Sequence, residues 1–326
     1  MWTGRRCLTA VTAPLALVLA AAVVGCAPAP AVPELRIMVP NPPGGGYDTT
    51  ARTVAAALEE TGLAGETGVF NVPGSAGTTG LHRLLYEEGN EQLLLQMGMG
   101  LVARTHINDE TPVTAATPLA RLVEEPMVIL VPPDSPYRTF DDLAEDWRDP
   151  GVRLTLGGGS SPGGPDHLPL MLLAEEIGVD PGKVDYAWHD GGGETLAALL
   201  QHDVDAAAAG AGEYRQAIAA GQLRVLAVSG PERTGGIDAP TLRELGFDLV
   251  FMNWRGLLAP PGISERERDA LIAVLDDLHA TPEWRSALNE AHWTDAYLTG
   301  DDFGAFLAAE DRDVGDVLGR LGLADR

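Results

Sequence analysis

Short runs of apolar residues alternate along the chain with longer stretches whose apolar positions recur every three or four residues. Leu35-Arg36-Ile37-Met38-Val39 reads as a strand stopped by Pro40, and the Ala-rich stretch from Asp48 to about Glu60 as a helix with Asp48 as N-cap and Arg52 one turn on. Further strands are expected at Val69–Val72, Leu93–Leu95, Met127–Val131, Arg153–Leu156, Val184–His189, Val204–Ala208, Arg224–Ser229 and Asn253–Ala259. Helices are expected from Thr78 onward and over Asp141–Trp147, Pro165–Ile177, Glu194–Gln201, Gly212–Ala220, Ser264–His279, Pro282–Glu290 and Asp301–Leu321. Strands alternating with helices predict an α/β fold with mostly parallel sheets.

Four strands run into a glycine loop that opens a helix. The loops are Asn41–Gly46, Pro73–Gly77, Gly157–Gly164 and Gly191–Gly193. Unpaired backbone N–H groups and the helix dipole make such junctions attractive to anions. In open α/β sheets, ligands lie beyond the carboxyl ends of strands. Two such junctions in each half of the chain suggest a two-lobed clamp.

Composition narrows the classes. The chain has 326 residues, 45% of them apolar, which is enough for two ordinary domains. Its net charge of −25, with Lys183 the single lysine, argues against nucleic-acid binding. Gly157–Gly164 lacks both the dinucleotide-loop spacing and a Gly-Lys-Ser/Thr run. His167, His189 and His202 lack metal-ligand spacing, and both cysteines, Cys7 and Cys26, fall in the first 26 residues. No metal or cofactor is expected.

Residues 1–25 read as a secretory leader: Arg5-Arg6, an apolar stretch over Leu8–Val24, then Val23-Val24-Gly25-Cys26, which resembles a lipobox with Cys26 as the lipidated residue. Residues 26–33 form a Pro-rich tether. The expected product is extracytoplasmic, monomeric and attached to the membrane only through lipid.

With these loops in view, the chain resembles the receptor family of tripartite tricarboxylate transporters. Pro40-Asn41-Pro42-Pro43-Gly44-Gly45-Gly46-Tyr47-Asp48 with Ala51-Arg52 is similar to the family's opening signature, and Asn71-Val72-Pro73-Gly74-Ser75-Ala76-Gly77-Thr78 to its second. Gly158–Leu168, Gly191–Glu194, Ala219–Val228 and Pro240–Gly246 follow in family order, and Asn253-Trp254-Arg255-Gly256 resembles the tricarboxylate branch. The resemblance implies a two-lobed periplasmic binding protein fold of the type II kind, with crossing hinge strands. It implies lobe 1 over residues 34–130 plus 254–326 and lobe 2 over 131–253. It further implies capture of a small organic carboxylate and its delivery to a large and a small membrane subunit. A citrate-like tricarboxylate is the first expectation, and a dicarboxylate or acidic amino acid the second.

The residues expected at the ligand are Gly46, Tyr47, Asp48 and Thr49; Ser75, Ala76, Gly77 and Thr78; Ser160, Ser161 and His167; and His189 and Gly192. Backbone N–H groups and hydroxyls would donate to carboxylates, and His167 would add a charge-assisted bond when protonated. The Asp48 side chain itself would be repelled. Arg255 is expected either as a fixed countercharge or, preferably, in a hinge salt bridge. Two rivals remain. One is a secreted hydrolase with Ser160 or Ser161 as nucleophile and His189 as base, although Gly158-Gly159-Ser160-Ser161-Pro162 fails the G-x-S-x-G pattern at its last position. The other is a sensory lipoprotein that binds the same ligand.

Overall fold

A computed structural model of the chain describes residues 1–2 and 32–324. The body of the expected leader, Cys26 and the tether up to residue 31 lie outside the described residues. Val32 and Pro33, expected as the end of the tether, already belong to strand β1 (Val32–Val39), where Val32 pairs with Ala64 of the next strand. Among the described residues no helix is long and apolar enough to cross a membrane.

The first third of the chain builds three parallel strands. β1 buries Leu35, Ile37, Met38 and Val39 and leads into α1 (Gly46–Thr61), which ends where Gly62 adopts a left-handed φ of 69°. β2 (Ala64–Asn71) follows, then α2 (Thr78–Tyr86), β3 (Leu93–Gly98) and α3 (Met99–Ile107). Strand β4 (Thr117–Val131) is far longer than its apolar core suggests, because it serves two sheets. Up to Pro126 it pairs with β9 (Met252–Ala259), and from Met127 onward with β7 (Ala206–Gly210).

Between β4 and β7 in the chain lie α4 (Phe140–Arg148), opened by a Thr139–Asp142 capping box, β5 (Thr155–Gly158), α5 (His167–Glu176), β6 (Asp185–Trp188) and α6 (Gly192–Leu200). After β7 come the five-residue α7 (Arg215–Ala219) and β8 (Arg224–Val228). The chain closes with α8 (Glu265–Ala280), α9 (Pro282–Ala291), β10 (Thr294–Thr299) and α10 (Gly300–Arg320).

The first sheet runs β2-β1-β3-β9-β4, with β10 added on β4; the second runs β6-β5-β7-β4, with β8 also on β4. Parallel pairing, as the βα alternation requires, holds among β1, β2 and β3 and among β5, β6 and β7. The crossing strands β4 and β9 run antiparallel to their partners, so both sheets are mixed at their inner edge. Helices cover both faces. Ile129 and Val131 of β4 pack toward α4 and α5, while the alternate residues Val128 and Leu130 pack toward α6 and Tyr214. The change of sheet between Pro126 and Met127 falls a few residues before the expected lobe boundary at 131.

Candidate functional site

All four glycine loops contribute to one cleft of about 530 Å³ between the two sheets. Gly44–Tyr47 and Ala76 come from the first sheet's strand ends; Gly159, Ser161, Gly164–Asp166 and Asp190–Glu194 come from the second. The floor is made by Gly210, Glu213, Asn253 and Arg255, and Arg104 of α3 stands at one side.

The first loop is held from behind. α1 begins at Gly46 with Gly45 as its N-cap, so Asp48 is the third helical residue and not the cap expected from the sequence. Its carboxylate accepts the Gly44 N–H at 3.0 Å, two bonds from Arg52 at 2.9 and 3.0 Å, and the Asn71 amide at 3.0 Å. Asn71 also donates to the Asn41 carbonyl at 2.9 Å, tying the loop to the end of β2. Burial pushes the Asp48 carboxyl up, but Arg52, the Gly44 N–H and Asn71 outweigh it and hold the group below the usual carboxylate range. Asp48 and Thr49 line a separate groove between α1 and α9, away from the cleft. Tyr47 does line the cleft; its hydroxyl accepts the Leu101 N–H at 3.3 Å, and burial pushes the phenol up to about 12.

Of the second loop only Ala76 reaches the cleft. Ser75 and Ala76 hold φ of 47° and 51°, a left-handed backbone that costs non-glycine residues about 1–2 kcal/mol each. Gly77 is buried, and Thr78 is buried with its hydroxyl donating to the Ser75 carbonyl at 3.3 Å.

In the third loop the two serines differ. Ser161 lines the cleft and accepts a hydrogen bond from Arg104. Ser160 turns inward: its Oγ accepts the Asp166 N–H at 3.0 Å, and its carbonyl accepts the Tyr186 hydroxyl at 2.7 Å. His167 is buried beneath the loop, edge-on to Tyr186 at 4.6 Å, with Nδ1 accepting the Gly163 N–H at 3.1 Å. Burial depresses its pKa to about 4, so the expected charge-assisted bond to a ligand is replaced by a structural one from a neutral ring.

His189 is half-buried outside the cleft wall, its backbone N–H donating to Gly158 at 2.9 Å; Gly192 lines the cleft. Neither serine hydrogen bonds to a histidine among the described residues, so the nucleophile–base contact of the hydrolase reading is not assembled there. Of the thirteen expected ligand residues, Gly46, Tyr47, Ala76, Ser161 and Gly192 meet in the cleft.

The floor joins Arg255 to two acids that sequence patterns missed, Glu125 and Glu213. Arg255 on β9 pairs with Glu125 on β4, both almost fully buried, in the hinge salt bridge preferred from the sequence. Glu125 also accepts the Gly212 N–H at 3.0 Å. A Cβ at Gly46 would lie 2.5 Å from the Arg255 guanidinium and one at Gly210 would lie 2.6 Å from Glu125, so glycine is needed at both places for close approach. Glu213 follows β7 through Gly210-Ala211-Gly212, a fifth strand-to-glycine turn; that repetition is the signal that would have found it.

The family model for the tripartite tricarboxylate transporter family receptor matches residues 51–323. The chain belongs to this receptor family. A Cupriavidus necator protein described only by its place in the gbd 5′ region is 28% identical over 301 residues, covering 89% of this chain and 88% of its own. Among solved structures, a Rhodopseudomonas palustris protein with bound malate is 22% identical, covers 88% of this chain and 99% of its own, and superimposes with a TM-score of 0.75. Another R. palustris protein, with adipate, is 21% identical, covers 89% and 98%, and gives 0.80. The receptor thus has the two-lobed periplasmic binding protein fold.

Proposed function

We propose that this receptor captures a small organic carboxylate in the cleft between its lobes and delivers it to large and small membrane subunits of a transporter. The observation that carries this reading is the convergence of all four glycine loops on one cleft. The first and fourth loops each lead into a helix N-terminus that has no side-chain cap bond, so backbone donors from both sides are available to an anion. Malate and adipate in the structural relatives support the ligand class. Gly46, Tyr47, Ala76, Ser161 and Gly192 are the direct contacts; Asp48, Thr49, Ser75, Gly77, Thr78, Ser160, His167 and His189 shape or back their loops. The Asn253-Trp254-Arg255-Gly256 run favours a citrate-like ligand, but the acids on the cleft floor oppose three added negative charges, so a dicarboxylate fits better.

In this reading residues 1–25 are a leader, Cys26 carries the lipid that holds a monomer at the outer face of the membrane, and residues 26–31 are the tether. The lobes are 32–130, two residues longer than the expected start at 34 because β1 begins at Val32, plus 254–326, and 131–253, hinged where β4 changes sheets. A thermal-shift screen of the purified chain against organic acids tests the proposal. At about a hundredfold excess over Kd, a true ligand raises Tm by roughly 5–10 °C. Shifts with sugars or metals and none with any carboxylate would sink it.

A further inference from the structure

The two walls of the cleft differ in charge, and the carboxylate reading, on which this inference rests, does not account for the difference. The first-lobe wall, from Asn41 to Arg104, holds no acid among its described lining residues and carries that one arginine. The second-lobe wall holds four acids, Asp166, Asp190, Glu194 and Glu213, and no basic residue among those described. On the floor between them, Arg255 of β9 is neutralised by Glu125 of β4. A simple dianion in this cleft faces an excess of negative charge along one whole side, whereas a ligand with one positive end matches both walls.

Asp190 and Glu194 flank the start of α6, where Glu194 accepts the Asp190 N–H at 3.0 Å, and Glu213 follows β7. These three are exposed, and water screens them. Asp166 differs: it is 7% exposed at the start of α5. A Cβ on Gly158 would lie 2.6 Å from the Asp166 Cβ, so the end of β5 closes tightly over its stem. The donors that reach its carboxylate, the Gly159 N–H and the Ser160 hydroxyl, are neutral, and no basic side chain among the described residues pairs with it. His167, next in the chain, accepts the Gly163 N–H. Arg104 is held by Ser161 and Pro162, and Arg255 by Glu125. A nearly buried carboxylate without a countercharge is costly, and a cation arriving through the cleft removes that cost.

A second observation, independent of the acids, points to hydrogen-bond donors on the ligand. Asn253 is 5% exposed and lines the floor, yet its Oδ1 has no partner among the described residues. The Asn41 Oδ1, on the first-lobe wall, is likewise enclosed and unpartnered. Glu125 stands directly across from Asn253 in the β4–β9 ladder, but its carboxylate is engaged by Arg255 and the Gly212 N–H and has no donor to offer. Acceptors left open inside a cleft suit a ligand that brings N–H groups.

We propose that the ligand is an amino-carboxylate, held with its carboxylate on the first-lobe amides and its ammonium against the acid wall of the second lobe. The uncapped start of α1 takes the carboxylate. Asp166 anchors the ammonium, the exposed acids attract it, and Asn253 offers a further acceptor on the floor. Without a cation beside it, burial and then the charge of Glu213 push Asp166 up to about 8; an ammonium favours its ionised form.

Isothermal titration of the full chain with matched acids tests this: aspartate with succinate, glutamate with glutarate, 2-aminoadipate with adipate, and 4-aminobutyrate with butyrate. At about pH 7.5 the amines are charged and the carboxylates ionised. In each pair that binds, the amino member should bind about tenfold or more tightly than its amine-free partner. Malate, with a hydroxyl in place of the amine of aspartate, should bind more weakly than aspartate. Asp166→Asn should weaken the amino members about tenfold and leave the amine-free acids unchanged or tighter, whereas a merely structural role would weaken both alike. Glu213→Gln, at an exposed position, should lower the preference by less, about twofold to threefold. Amine-free acids that bind as tightly as their partners, or malate as tightly as aspartate, overturn the inference and leave the receptor reading intact. So does an Asp166→Asn protein that keeps the preference or weakens both members equally; if that variant does not fold, an unchanged preference in Glu213→Gln overturns it. If no acid of either kind binds, in these pairs or in the wider thermal-shift screen, the receptor reading itself falls, and this inference with it.

Discussion

Asp48 holds its loop from the side opposite the ligand. Three different donors converge on its buried carboxylate, and Asp48→Asn converts an acceptor into a group that must turn a donor toward Arg52. Stability should fall by about 1–3 kcal/mol at neutral pH in urea denaturation, with ligand affinity little changed. Because the native pKa is depressed, the stabilisation is present above the unfolded value and is lost as pH falls through the native one. The gap between wild type and variant should therefore close under acid conditions. Arg255 makes the opposite case, since it sits in the floor itself. Arg255→Met leaves Glu125 enclosed without its countercharge and should cost about 3–5 kcal/mol. The double variant with Glu125→Gln should recover much of that loss, and a double-mutant cycle by urea denaturation reads the coupling directly. The glycine loops were legible in the sequence because close approach and helix starts demand specific residues at fixed spacing. The direction each side chain takes was not: Ser160 and Ser161 are neighbours of the same type, and only packing against Tyr186 and Arg104 separates them.

Strand β4 and the segment after β8 form the joint between the sheets, and one hydroxyl clips them together. Ser229 accepts the Met127 N–H at 2.8 Å and donates to the Phe251 carbonyl, at the point where β4 leaves the first sheet. Ser229→Ala strands the buried Met127 N–H and the half-buried Phe251 carbonyl and should destabilise the protein by about 1–3 kcal/mol, with an unchanged urea m-value because the fold survives. Elements with a single buried face and clear punctuation were readable, as α8 shows with its Ser264–Glu267 capping box. Three were not. The first ten residues of β4, Thr117–Pro126, include two prolines, an arginine and two acids, a composition that suits a loop until β9 and β10 supply partners on either side. β10 is an edge strand whose pairing slips in register, which blurs its alternation. α3 follows β3 with no intervening turn, so Met97-Gly98-Met99-Gly100 masks the boundary between strand and helix.

Contacts at the side of the cleft bear on how the whole molecule closes. Arg104, from the first lobe, reaches the Ser161 hydroxyl and the Pro162 carbonyl of the second, and Arg320 pairs with Glu175 at 3.1 Å across the same division. Leu168 of α5 is buried among Leu101, Val102 and Leu318, side chains of the other lobe. These contacts favour lobes that already touch, and a ligand that bridges the glycine loops strengthens the same arrangement. Arg104 is half-buried, so its bonds to Ser161 and Pro162 are partly screened and contribute on the order of 1 kcal/mol. Arg104→Ala should shift the unliganded protein toward a more open form, seen as a larger radius of gyration in small-angle scattering. Ligand binding must then recover the lost closure energy, so Kd for malate or adipate should weaken about fivefold to tenfold. Saturating ligand should bring both proteins back to the same radius. Arg320→Ala, which breaks a more exposed pair, should change both quantities less. Equal radii and equal affinities for the wild type and Arg104→Ala would assign closure to the apolar contact around Leu168 and leave the arginine as a wall of the cleft.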